Sequence, residues 1–247
     1  MIFDGFLFFN ELDLLEVRLE ELYPVVNKFI LVESYETFRG NKKPLYYNNN
    51  KYRFDKYNDK IIHIVLESNN FSSPWDREKW SRKQIMRGFG HGNPNDILIV
   101  SDLDEIPRRE IVRTLDFNDI VRLQTINFSL FINAVEGYGA AIKAVRRFYA
   151  EVYDLQTIRE NSETPLLRDA GWSFSSIGTP EHISEKLKAY SHSELDLPEY
   201  TSPAQIERRM GDLTDLFDRG TLERVKVDGT WPKAIVNNRD YWSKYEC

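Results

Sequence analysis

Two aspartates one residue apart, Asp102 and Asp104, follow the apolar run 96–100 and lead directly into Glu105. An Asp-x-Asp at the end of a buried strand concentrates carboxylate oxygens at one spot. Hard divalent cations take oxygen ligands and leave other coordination positions to substrate phosphates. A cation held there would neutralise a departing diphosphate as a Lewis acid. The plain alternative is a capped turn or the acidic start of a helix. Placement between a buried strand and Pro107 brings the chemical reading level with it.

Other chemistries begin similarly. Haloacid-dehalogenase-type phosphatases carry Asp-x-Asp-x-Thr/Val after a strand, with the first Asp as nucleophile, and here Ile106 stands at the Thr/Val place. Gly211-Asp212-Leu213-Thr214-Asp215 hints at their later acidic motif but falls in an amphipathic helical segment, where that motif should follow a strand. A nucleotidyltransferase would need a glycine-rich phosphate loop near the start, and Gly5 is the only glycine among residues 1–15.

The elements that must position the aspartates follow from periodicity. Residues 2–9 read as a buried strand. Leu12, Leu15, Leu19 and Leu22 then recur at helical spacing, with Glu16, Arg18, Glu20 and Glu21 on other faces. Residues 28–33, 61–66 and 96–100 read as further strands, and 77–89 as a charged helix closed by Gly88 and Gly90. Residues 120–133 suit one or two strands, and 180–190 and 203–217 suit helices. This alternation predicts an α/β fold in one domain spanning 1–247, with a Rossmann-like, mostly parallel sheet flanked by helices. Ligands of such sheets bind beyond the carboxyl ends of the strands. Asp102–Glu105 occupies such an end, and Glu33 and Ser34 should share the rim.

Composition narrows the partners. A net charge of −6 offers nothing global to nucleic acid. The single cysteine, Cys247, excludes a disulfide framework and a cysteine zinc site. The apolar opening is interrupted by Asp4 and is too short to anchor or span a membrane, so the chain reads as cytoplasmic, and its sequons at Asn70 and Asn127 as accidental. Aromatic residues make up 13%, which suits sugar stacking and, better, a packed core.

Several ordered blocks resemble glycosyltransferase family 17. They are Asn10–Arg18, Val32-Glu33-Ser34 with Thr37, Gly40 and Lys43-Pro44-Leu45, the hexamer Asp102-Leu103-Asp104-Glu105-Ile106-Pro107, Ala170-Gly171-Trp172 with Thr179-Pro180-Glu181, and Trp231-Pro232-Lys233. Ser173 departs from the histidine that many relatives carry after the tryptophan. The resemblance implies a GT-A-type fold, a divalent cation (Mn²⁺ or Mg²⁺), a UDP-sugar donor (commonly UDP-N-acetylglucosamine), a glycan acceptor and inversion at the anomeric carbon. A carbohydrate-binding relative that has lost turnover is the non-enzymatic alternative.

Within that frame Asp104 is the leading metal ligand, and Asp102 a second ligand or a partner of the donor ribose. His192 is the late histidine ligand, with Glu194 to hold its tautomer. Glu105 either serves the catalytic site by ordering the metal's surroundings or only favours the next helix. Glu181 is the candidate base, with first-turn acid placement as its plain reading. Arg77 and Arg82 would meet donor phosphate, unless the helix face is merely solvated. Glu33 lies on the donor rim. Trp172 either stacks on the acceptor sugar or belongs to the core.

Overall fold

A computed structural model describes residues 1–247. Its strands are β1 (Ile2–Phe8), β2 (Lys28–Ser34), β3 (Ile61–Leu66), β4 (Ile97–Asp102), β5 (Glu105–Pro107), β6 (Ile120–Ser129), β7 (Ala134–Arg146), β8 (Leu166–Ser175) and β9 (Glu223–Arg224). They form one sheet in the order β3-β2-β1-β4-β7-β6-β8-β5, with β9 on β7. The helices, in chain order, are α1 (Leu12–Leu22), α2 (Tyr46–Asn49), α3 (Pro74–Lys83), α4 (Ile85–Phe89), α5 (Arg109–Arg113), α6 (Arg147–Ala150), α7 (Leu155–Glu160), α8 (Pro180–Ala189), α9 (Pro198–Thr201), α10 (Pro203–Asp212), α11 (Lys233–Asn237) and α12 (Arg239–Trp242). The α/β class, with a Rossmann-like sheet flanked by helices, is as expected. The run β3-β2-β1-β4 is entirely parallel, and antiparallel pairs enter with β7.

The parallel strands are apolar on both faces because helices cover both. In β4, Ile97 and Ile99 enter one core, whereas Leu98 and Val100 enter another. Alternate residues of β2 divide the same way, Phe29 and Leu31 against Ile30 and Val32. Leu15, Leu19 and Leu22 of α1 join the first core, as their spacing predicts. Leu14 and Val17, on another side of α1, pack with Ile235 of α11 and Trp242 of α12.

Two helices differ from expectation, and two strands, β7 and β8, were not read from the sequence. The 77–89 helix begins earlier and is two helices, because Pro74 opens α3 behind a Ser73 cap that accepts from the Asp76 amide at 3.1 Å. Gln84 separates α3 from α4. The 203–217 helix stops at Asp212, where Leu213 turns left-handed with φ 50°. β7 carries glycines and charges along an exposed stretch, and β8 pairs with a bulge beside Asp169 at φ 47°, so neither keeps a clean alternation.

Asp4 and Arg18 are both fully buried. Asp4 does interrupt the apolar strand, but it faces the helix that follows. The Arg18 guanidinium donates to both Asp4 oxygens, at 2.8 and 2.6 Å. It also donates to the Asp102, Leu103 and Glu105 carbonyls at 2.8, 3.0 and 2.8 Å, and to the Ser101 hydroxyl at 2.6 Å. The turn between β4 and β5 is therefore wrapped around one buried cation. Glu21, also placed on a polar face by periodicity, is buried too and accepts from Arg109 and from the Lys233 amide.

Removing one partner leaves the other charged and buried. Arg18→Met is expected to lower unfolding free energy by about 3–5 kcal/mol, read from urea denaturation. Arg18→Lys should recover little, since a lone ammonium cannot reproduce the forked donors. A near-wild-type midpoint for Arg18→Met would show that the turn holds without it.

Candidate active site

The carboxyl ends of β1 to β4 open into a cleft of about 450 Å³, walled by α3, α7, α8 and the loop through His192. Asp102, Asp104 and Glu105 line it, joined by Glu11, Arg159 and Lys186. The rim expected at the strand ends is thus where the aspartates stand.

Two charge clusters adjoin. In the first, Arg82 donates to Glu78 at 2.6 Å and Asp102 at 3.0 Å, and Arg159 donates to the other Asp102 oxygen and to Glu105 at 2.6 Å. Glu105 also accepts from the Asp102 amide at 2.8 Å, which fixes the turn from within. In the second, Lys186 lies 2.8 Å from Asp104 and 2.9 Å from Glu11.

Enclosure alone would raise the Asp102 carboxyl, but Arg159 and Arg82 override it and hold the group below the usual carboxylate range. Its side chain is 43% exposed, so the enclosure is by cleft walls rather than core. Asp104 moves the other way. Burial raises it, Lys186 opposes, and the negative charges of Asp102, Glu11 and Glu105 add to the rise. Burial lowers Lys186, but Asp104 and Glu11 outweigh that and carry its ammonium above the ordinary value.

The other candidates are dispersed. Arg82 lies beneath the cleft, 1% exposed, with its Nε donating to Gln156 at 2.8 Å. Arg77 turns away and donates to the Phe38 and Asn69 carbonyls. Glu33 is fully buried, accepting from the Tyr47 and Asn48 amides at 2.8 and 3.3 Å and facing His63 at 3.0 Å, so it caps α2. His192 is on the cleft wall with Nδ1 2.7 Å from Glu194. It forms no metal-holding group with Asp102 and Asp104. Glu181 is exposed in the first turn of α8, behind a Thr179 cap, and is not part of the cleft wall.

Trp172 is 3% exposed and packs with Phe128, Phe174 and Ile106. Period two along β8 explains this, since Trp172 and Phe174 face the core while Ser173 and Ser175 face the cleft. Ser173 therefore looks into the site.

Glu11, Arg159 and Lys186 were not singled out from sequence. Glu11 and Arg18 fall in the first matched block, which was the available signal. Arg159 lies in the short α7, and nothing local distinguishes it.

The matching family description is glycosyltransferase family 17, over residues 1–221. The β-1,4-mannosyl-glycoprotein 4-β-N-acetylglucosaminyltransferase of Rattus norvegicus is 30% identical over 285 residues, covering 96% of this chain and 50% of the relative. The Homo sapiens protein of that name is also 30% identical, with 96% and 51% covered. The chain thus spans about half the length of the curated relatives it matches. Among solved structures, the glycosyltransferase GlyE of Streptococcus pneumoniae aligns at 13% identity and a TM-score of 0.35, over 99% of this chain and 60% of that one.

The placements of Trp172 and Glu181 predict opposite responses. Trp172→Ala should cost about 3–5 kcal/mol of stability through the cavity it leaves. Glu181→Ala should stay within roughly 0.5 kcal/mol of wild type. Chemical denaturation of both variants checks this, and a mild Trp172→Ala would contradict its place in the core.

Proposed function

The chain belongs to glycosyltransferase family 17, and from that membership we propose that it transfers N-acetylglucosamine, with inversion, from UDP-N-acetylglucosamine to a glycan hydroxyl. A divalent cation, Mn²⁺ or Mg²⁺, would assist at the diphosphate. The relatives' names support the sugar. The observation that carries the reading is the pairing of Asp102 and Asp104 with Arg159 and Lys186 at the strand ends.

The donor set fits a shared cation. By direct ion pairing Asp104 and Glu11 share one ammonium, and Glu78, Asp102 and Glu105 share two guanidiniums, so each paired set has one more carboxylate than cation, with the Lys43 ammonium also on the cleft wall. No three His, Cys, Asp or Glu side chains converge closely enough to hold a metal alone. Such a site suits a cation completed by substrate phosphate rather than a protein cage. Asp104, with Asp102 beside it, would hold that cation, which supplies Lewis-acid stabilisation of the departing diphosphate.

Arg159 and Lys186 face the cleft and would oppose the remaining phosphate charge, Arg159 through its fork. The Asp102 side chain is kept ionised by Arg159 and, from beneath, by Arg82. A base must take the acceptor proton during in-line attack. Among the carboxylates lining the cleft, Glu11 and Asp104 are the two not gripped by arginine. With Asp104 committed to the cation, Glu11 takes the role first considered for Glu181. Family membership also displaces the phosphatase reading, whose nucleophile, Asp102, has both carboxylate oxygens tied to arginines.

UDP with Mn²⁺ at a hundredfold excess over Kd should stabilise the chain by about 2.7 kcal/mol, roughly 5–10 °C in Tm for this size. The shift should need the metal and vanish in Asp104→Ala. No shift with any UDP species would sink the donor assignment. Binding without turnover on any glycan would favour the non-catalytic reading.

Glu11→Gln should keep the UDP shift but lose about 10²–10⁴ in kcat, measured as release of UDP with acceptor present. A variant of unchanged kcat would remove Glu11 as base.

A further inference from the structure

With Trp172 in the core, the question is which aromatic surface meets the acceptor sugar. α3 answers through its spacing. Trp75, Glu78 and Arg82 stand at i, i+3 and i+7, on one helix face. Arg82 at the inner end holds Asp102, and Glu78 between them accepts from the Ser191 hydroxyl at 2.6 Å. Trp75 lies at the outer end, about 10 Å from Arg82 along the helix axis, on the cleft wall.

Trp75 is 36% exposed, unusual for a tryptophan in a folded chain, yet its ring has an aromatic neighbour. His192 meets it edge to face with ring centroids 4.6 Å apart, and Tyr190 packs on His192 at 5.4 Å. The Ser191–Glu78 hydrogen bond ties this loop to α3. The outcome is an aromatic surface at the cleft mouth, tied through Ser191 and Glu78 to the arginine that holds Asp102 at the other end.

Two regions of the cleft suit a flat ring. One is enclosed at the strand ends by Val32 and Leu66, 2% and 1% exposed, and suits a base that is buried whole. The other is the Trp75 surface, open to solvent on one side. A sugar that is part of a larger glycan must leave the cleft through such an opening. The C–H bonds on a pyranose face carry partial positive charge and pack against the negative face of an indole.

We propose that Trp75, held by His192, is the stacking platform for a pyranose ring of the glycan acceptor. This rests on the reading that the aspartate end of the cleft takes the donor diphosphate. His192 is then a positioning residue for Trp75 rather than a metal ligand. Ser175 and Ser176 are also on the cleft wall, where hydroxyls suit the polar edge of a sugar.

The test is calorimetric titration of the full chain with mannobiose, N,N′-diacetylchitobiose and lactose, each with and without UDP and Mn²⁺. At least one glycan should bind the wild type. Trp75→Ala should weaken it by about three- to tenfold, with the Kd for UDP held within twofold. Trp75→Phe should recover part of the loss, and His192→Ala should give a smaller loss. Partial exposure of Trp75 means that its alanine variant should fold, which an unfolding midpoint verifies.

The proposal is overturned if Trp75→Ala weakens UDP in the absence of glycan, since the platform would then serve the base. Unchanged glycan affinity in that variant, or no glycan binding by a wild type that binds UDP, also overturns it. Glycan binding lost in Trp75→Ala from a chain that binds no UDP would sink only the donor reading.

Discussion

The Arg18 guanidinium directs its donors to Asp4, Ser101 and three carbonyls of the turn that carries the aspartate pair. A turn of carbonyls and carboxylates at the end of a buried strand would otherwise repel itself and leave acceptors unpaired. One cation from α1, neutralised by an aspartate of β1, removes both difficulties. It also ties β1, α1 and the β4–β5 turn to a single point. Everything proposed for the site depends on Asp102 and Asp104 projecting from that turn in fixed directions.

Above that point the electrostatics divide. Asp102 is gripped by two arginines and is a fixed charge, whereas Asp104 shares one lysine with Glu11 and stands among like charges. The difference in their pKa directions follows from these neighbours rather than from depth alone. A fixed carboxylate beside one among like charges suits the proposed role, in which a cation and a diphosphate would be taken up together and released again. Lys186 reaches the second cluster from α8, so that helix closes over the aspartates while its exposed first turn, with Glu181, remains in solvent.

α3 links the two ends of the cleft. Its single face carries an arginine at the floor, a glutamate in the middle and a tryptophan at the mouth, so the distance between charge chemistry and the aromatic surface is set by helical rise. The Ser73 cap and Pro74 fix where that helix starts, and hence where Trp75 stands.

Much of this was legible in the chain itself. Apolar runs at period two and leucines at helical spacing are local properties, so strands β1 to β4 and α1 could be read with small boundary errors. The rule that parallel sheets bind ligands at strand ends then placed Asp102 and Asp104 at the site. What sequence could not give was the direction of side chains set by distant partners. Arg159 meets Asp102 across 57 positions and Lys186 meets Asp104 across 82. Trp172 was the tryptophan singled out to stack on a sugar, and the register of β8 turns it inward, whereas the start of α3 turns Trp75 outward. Glu33 at a strand end and Arg18 on a helix likewise changed roles once α2 and the β4–β5 turn were packed against them. Local periodicity decides which residues are on an element; only long-range packing decides what each of them faces.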